Sequence, residues 1–171
     1  MGVWNNLVGK LVEYIPFTAT NMVWRAIDKS STSLLDVGCG QGRMGSIIRS
    51  HRKIYSVGVD AYNPYLKLCM SNNSYDKVIQ NDVREMSFDN KSFDTVICTE
   101  LIEHLEKTEA YELIRKIELI ARKQVIITTP VGIYKAHSHD GNKFQEHKSS
   151  WYPVELKQIG YRIRGVGLRN L

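Results

Sequence analysis

No stretch of roughly 18 consecutive apolar residues occurs in the 171-residue sequence, so no membrane-spanning helix is expected. The N-terminus lacks the basic, then apolar, then small-residue order of a signal peptide, and none is read there. Cysteine is scarce and dispersed. Cys39, Cys69 and Cys98 form no Cys-x-x-Cys pair, which argues against a structural zinc site and for a reduced, cytoplasmic protein. Internal repeats, low-complexity tracts and long linkers are absent, as are RGG tracts and aromatic-basic interleaving. The net charge of +5 and pI of about 9.1 therefore permit an anionic partner such as RNA without requiring one. Basic residues gather at Arg49, His51, Arg52 and Lys53 and at Arg162, Arg164 and Arg169, a pattern that reads as a solvated surface.

What is present is enough for one packed domain over residues 1–171: 43% of residues are hydrophobic and 24% charged, against long disorder. Val3, Trp4, Leu7, Val8, Leu11, Val12 and Ile15 recur at helical spacing, and Pro16 ends that amphipathic helix. Met22, Val23, Ala26 and Ile27 predict a second helix. Both helices are expected to pack on the sheet, with a lid over a ligand as the functional alternative. Strands are predicted at Leu34–Val37, Ile54–Val59, Lys77–Gln80, Phe93–Cys98 and Gln124–Thr128. Helices are predicted at Arg43–Ser50, from an Asn63 cap with Pro64 to Asn72-Asn73, and from Thr108 with the stripe Leu113, Ile114, Ile117, Ile120 and Ala121. Short, nearly all-apolar strands alternating with helices predict an α/β, doubly wound, mainly parallel sheet with helices on both faces. Ligands on such sheets lie beyond the carboxyl ends of the strands.

Those ends carry a recurrent chemistry. The first strand runs into Asp36-Val37-Gly38-Cys39-Gly40-Gln41-Gly42, a turn that lets a ligand approach the backbone, ahead of a helix N-terminus that favours a carboxylate. Asp36 adds a negative charge suited to an ammonium. The second strand ends at Asp60, about twenty residues on, where an acid accepts from both ribose hydroxyls. The third ends at Asp82, placed for an exocyclic adenine amine, and the stretch from Tyr62 to Tyr65 is placed to wall an adenine. Three such acids closing three consecutive strands point to a nucleoside rather than a merely structural sheet. A nicotinamide dinucleotide is the rival, since Gly40-Gln41-Gly42-Arg43-Met44-Gly45 matches G-x-G-x-x-G. That match starts late after the strand, and Asp36 disfavours a nearby pyrophosphate.

These motifs resemble the class I S-adenosylmethionine-dependent methyltransferases, of the small-molecule group typified by ubiquinone biosynthesis, from about Ser33 to Gly165. Leu34 to Gly42 resembles the family's first motif, Asn81-Asp82-Val83 its adenine segment, Phe93 to Leu105 its fourth strand and the segment after it, and Val125 to Pro130 its fifth strand. The resemblance implies S-adenosyl-L-methionine as cofactor, held by Asp36, Gly38, Cys39, Gly40, Asp60, Ala61, Asp82, Val83 and Glu100. It divides the chain into N-terminal helices (1–30), a cofactor-binding core (31–130) and a substrate-side loop with a last helix or strand (131–171). The family closes its sheet with two antiparallel strands. Here Tyr161 to Gly167 supplies one and its partner is missing or very short, so the C-terminal strands are expected to be incomplete.

In the family's reaction the protein aligns an acceptor and excludes water, worth up to about 7–11 kcal/mol, and a base adds about 10²–10⁴-fold. Glu100, Glu103 and His104, spaced to share a helix face, and His147 are the candidate groups. His104 and His147 are read as base or substrate-hydrogen-bonding residues on a small-molecule acceptor, with no metal. His104 has a second reading as a helix-start residue bonded to backbone. The loop from Val131 to Ser150, with His137-Ser138-His139-Asp140 and Glu146, is long enough to cover a substrate, with Trp151 as its anchor. Glu-x-x-Glu-His with a later histidine also resembles the small-RNA 3′-end 2′-O-methyltransferases, in which a metal orients ribose hydroxyls. That leaves open a metal-assisted RNA methyltransferase and a non-catalytic cofactor-binding partner protein.

Overall fold

Alternation along each strand explains the fold. In the first strand Leu34 faces one apolar cluster while Leu35 and Val37 face another; Ile97 and then Val96 and Cys98 divide the same way in the fourth, and Ile126 and then Val125 and Ile127 in the fifth. A sheet apolar on both sides must be covered on both sides. The structure, a computed structural model, describes residues 18–133 and 141–165. Its elements are α1 (Ala19–Ala26), β1 (Ser33–Val37), α2 (Arg43–His51), β2 (Tyr55–Asp60), α3 (Asn63–Ser71), β3 (Lys77–Gln80), β4 (Phe93–Thr99), a 3-10 turn (Ile102–His104), α4 (Lys107–Ile120), β5 (Ala121–Thr128), a second 3-10 turn (Lys143–Gln145) and α5 (Pro153–Gln158).

The five strands are parallel in the order β3-β2-β1-β4-β5. The chain order reverses between β1 and β4, which opens a crevice at their carboxyl ends. On one face Val23 and Ile27 of the α1 region and Met44 and Ile48 of α2 pack on Leu34 and Ile97. On the other, Leu113, Ile114, Ile117 and Ile120 of α4 and Leu156 of α5 cover Leu35, Val96 and Cys98. Each such fully buried aliphatic side chain contributes about 1.5–3 kcal/mol. Among the described residues no helix is long and apolar enough to cross a membrane.

Several local expectations are corrected. Asn63 is not the helix cap: Tyr62 takes that position, Asn63 is the first helical residue, and Asp60 accepts from the Tyr62 amide at 2.8 Å. The helix expected from Thr108 starts at Lys107, because Glu106 and Glu109 form a reciprocal capping box. Ala121 belongs to β5, which runs three residues further back than its apolar run. Tyr161 to Gly165 form no strand, although Tyr161 and Ile163 still pack against the core. Val166 and Gly167 lie outside the described residues. So do the N-terminal helix of Val3 to Ile15 and the His137-Ser138-His139-Asp140 group. α1 packs on the sheet through Val23, with Ile27 beside it. The Arg49–Lys53 group is engaged locally: Arg49 pairs with Asp76 at 2.9 Å, His51 stacks on Trp24, and Arg52 donates to the carbonyls of Asp28, Lys29 and Ser31.

Candidate functional site

The turn after β1 folds over the end of β2, because Gly38 and Cys39 both donate their amides to the Val59 carbonyl at 2.9 Å. Gly38 (φ 75°) and Gly40 (φ 52°) sit in the left-handed region that favours glycine. Their surroundings differ. A Cβ on Gly38 would meet the Leu101 side chain at 2.8 Å, whereas one on Gly40 would have nothing within 4 Å. Gly40 therefore presents open backbone, a cradle that a ligand can approach.

Asp60 ties the crevice together. One carboxylate oxygen accepts from the Gly40 amide and the other from the Tyr62 amide, each at 2.8 Å. Burial pushes its carboxyl above the ordinary value while these amides oppose the shift. Asp82 is clamped by Arg84, through Nε at 2.9 Å and Nη2 at 2.6 Å, and Arg84 continues to Glu109 at 3.0 Å. That pairing holds the Asp82 carboxyl below its usual range. Asp82 thus reaches the crevice as one member of an ion-pair chain.

Gly38, Gly40, Asp60, Ala61, Asp82, Val83, Glu100 and His104 line one cleft. Asp36 and Cys39 do not line it. Asp36 is 1% exposed, lies beneath the turn, and accepts from the Tyr75 hydroxyl at 2.6 Å. Burial raises its carboxyl to about 7. Cys39 is buried, and the neighbouring Cys69 sulfur together with burial keeps its thiol protonated.

At the other end of the cleft, Glu100 follows β4 with a left-handed φ of 49°, uncommon for a residue with a side chain, and its amide donates to the Thr128 carbonyl at 3.0 Å. This bend is followed by a 3-10 turn rather than the α-helix expected from the Glu100-Glu103-His104 spacing. The single-turn geometry turns Glu103 inward, 2% exposed, and brings His104 to the cleft. The Glu103 carbonyl accepts from the amides of Lys148 and Ser149 at 2.8 and 3.0 Å. Those two bonds bring His147 beside His104, with ring centroids 4.8 Å apart. Glu103, His104 and His147 each offer a ligand atom, all within 4.8 Å of one another, and one Glu103 carboxylate oxygen is buried without a hydrogen-bond partner. Glu100 is not a member of that cluster. Burial raises the Glu103 carboxyl to about 7 and lowers the His104 imidazole below its ordinary value.

Trp151 follows the 141–150 segment and holds it to the core: it is 1% exposed, donates to the Ser149 hydroxyl at 3.0 Å, and lies under the Lys107 ammonium at 3.6 Å. Several cleft residues had no sequence signal of their own, namely Leu101, Leu105, Asn142, Phe144, Gln145 and Lys148. Gln145 donates to the Tyr65 hydroxyl at 2.9 Å and joins the 141–150 segment to α3. Tyr65 was legible within the Tyr62–Tyr65 stretch, and Tyr62 packs edge-on against it.

A family described as a methyltransferase domain matches residues 35–127. No curated protein matches the sequence. Among solved structures, a SAM dependent methyltransferase from Archaeoglobus fulgidus is 25% identical, with 92% of this chain and 69% of that one covered and a TM-score of 0.63. The plantazolicin methyltransferase BpumL in complex with SAH is 18% identical, with 82% and 58% covered and a TM-score of 0.63. The [4+2]-cyclase SpnF is 19% identical, with 60% and 39% covered and a TM-score of 0.52. The chain also spans 64% and 50% of the length of two further solved relatives.

Proposed function

Because the chain belongs to the methyltransferase-domain family and has the sheet of the class I S-adenosylmethionine-dependent enzymes, we propose that its cleft takes S-adenosyl-L-methionine and supports methyl transfer to a small-molecule acceptor. The open backbone at Gly40, roped to Asp60 at 2.8 Å, carries this reading. It sets an uncrowded glycine and a carboxylate side by side, which suits an aminoacyl nucleoside. Gly38 and Gly40 let the ligand lie close to the chain, Asp60 faces the ribose, and Ala61, Asp82 and Val83 face the adenine. When bound, the cofactor supplies an activated methyl group and its own leaving group.

The chain's residues do the rest. Glu100 stands where the cleft passes to the acceptor side. His104, or His147 beside it, accepts the proton or hydrogen bond of the acceptor. The 141–150 segment, seated on the Glu103 carbonyl and on Tyr65, limits the entry of water. Three buried free thiols support a reducing, cytoplasmic setting. SpnF, with a similar sheet, is named as a cyclase, so transfer itself has to be measured. The test is calorimetry with S-adenosylmethionine and NAD, followed by incubation with methyl-labelled cofactor and a metabolite extract. Binding of S-adenosylmethionine alone, and label in a small-molecule fraction, are expected. Equal affinity for NAD overturns the cofactor assignment. Binding without transfer favours a non-catalytic partner protein.

One observation favours a second reading. The convergence of Glu103, His104 and His147, with an unpartnered buried carboxylate oxygen among them, fits a divalent metal that orients the hydroxyls of an RNA 3′ end. The set is then three residues, without Glu100. Metal analysis of the purified protein, with Glu103→Ala and His147→Ala as controls, separates the two: absence of metal ends the RNA reading.

A further inference from the structure

Tyr75 lies between α3 and β3, outside every motif described so far, yet it is 4% exposed and touches three parts of the cofactor turn's support. A Cβ on Gly45 would stand 2.4 Å from its ring, and one on Gly58 2.8 Å from it. The two glycines, on α2 and β2, form a slot shaped for this ring. At the end of the slot the Tyr75 hydroxyl accepts from the Gly45 amide at 3.0 Å and donates to Asp36 at 2.6 Å. The second Asp36 oxygen is buried with no partner.

We propose that Tyr75 is a positioning residue for the cofactor turn, its hydroxyl fixing the Asp36 carboxyl beneath Gly38–Gly40 so that this group, uncharged by burial in the empty protein, can ionise when a cationic ligand binds above it. The inference rests on the cofactor reading given above. Its physical basis is the company Asp36 keeps. The titratable groups facing it are Asp60 at the end of β2, Cys39 in the turn, Cys69 on α3 and Cys98 on β4, with Tyr75 itself. None is a cation. Burial and Asp60 both oppose the ionised form, and the Tyr75 hydroxyl is what favours it. Without that donor the carboxyl stays protonated to higher pH, and the turn loses its charge but keeps its shape, since Phe fills the same slot.

The experiment uses Tyr75→Phe, Asp36→Asn and the double variant in the full chain. Carbon-13 carboxyl titration of the ligand-free protein reads Asp36 directly, and S-adenosylmethionine affinity is measured from pH 6 to 9. In Tyr75→Phe the Asp36 midpoint is expected to move up. Affinity is expected to fall about tenfold at pH 7, the scale of one hydrogen bond to a charged group, and to recover at higher pH. The double variant should bind no worse than Asp36→Asn. An unmoved midpoint overturns the proposal, as does an affinity loss that is the same at every pH. A moved midpoint in a wild-type protein that does not bind S-adenosylmethionine keeps the Tyr75–Asp36 coupling and sinks the cofactor reading instead. Thermal melts of each variant exclude unfolding as the cause.

Discussion

The two ends of the cleft are built differently. The end at Gly38, Asp60 and Asp82 is made of strand termini, and its shape is fixed by backbone amides bonded to Val59 and Asp60. The end at Glu100, His104 and His147 is made of a strained bend, a three-residue 3-10 turn and a segment some forty residues later in sequence, joined through the Glu103 carbonyl and Trp151. A sheet edge presents the same groups to any cofactor of one type. A turn held by a distant segment can change its side chains without disturbing the sheet. This division suits an enzyme with an invariant cofactor and a variable acceptor.

The largest effect that separates the two ends is expected from His104→Ala. Transfer of methyl label into a metabolite extract should fall by about 10²–10⁴-fold while calorimetric cofactor affinity is unchanged. A matching loss of affinity would show that the ends are not independent. Asp60→Ala breaks the comparison from the other side. Two amides lose a charged acceptor, and cofactor affinity should drop by about a hundredfold. Retained affinity would remove Asp60 from the site.

Trp151→Phe is a smaller change. It removes the Nε1 donor to Ser149 and should lower stability by about 1–2 kcal/mol in denaturant melts, loosening only the end at Glu100, His104 and His147. Cofactor affinity is the control, and its loss would mean that the anchor serves both ends.

The smallest effect concerns Asp36. Its folded carboxyl is raised from 3.8 to about 7, so its favourable contribution is complete below pH 3.8 and is lost as pH rises through about 7. Asp36→Asn should therefore raise the melting temperature of the ligand-free protein relative to wild type by about 2–4 °C at pH 8, with little difference at pH 4, while weakening cofactor binding. A difference independent of pH would show that Asp36 is not held uncharged by burial.

Much of this was written locally. The five strands, the turn after β1 and the acids Asp60 and Asp82 were legible because short apolar runs bounded by glycine and acid report directly on buried parallel strands. The caps at Tyr62 and Glu106 were not, since a cap depends on which side chain closes on which amide. The Glu100-Glu103-His104 spacing misled for a related reason: it is the same in an α-helix and in a 3-10 turn, and only the bend held by Thr128 selects the turn.

The sequence by itself determined the sheet, its order of elements and the end at which a ligand must lie, because periodicity and glycine placement are properties of neighbours in the chain. Tertiary structure decided that Asp36 sits under the turn against Tyr75, that Asp82 is taken by Arg84, and that His147 meets His104. Each of the first and last joins residues about forty positions apart, and the Arg84 clamp extends to Glu109 on α4. Burial, pairing and the resulting charge state follow from packing at a distance, which no local pattern encodes.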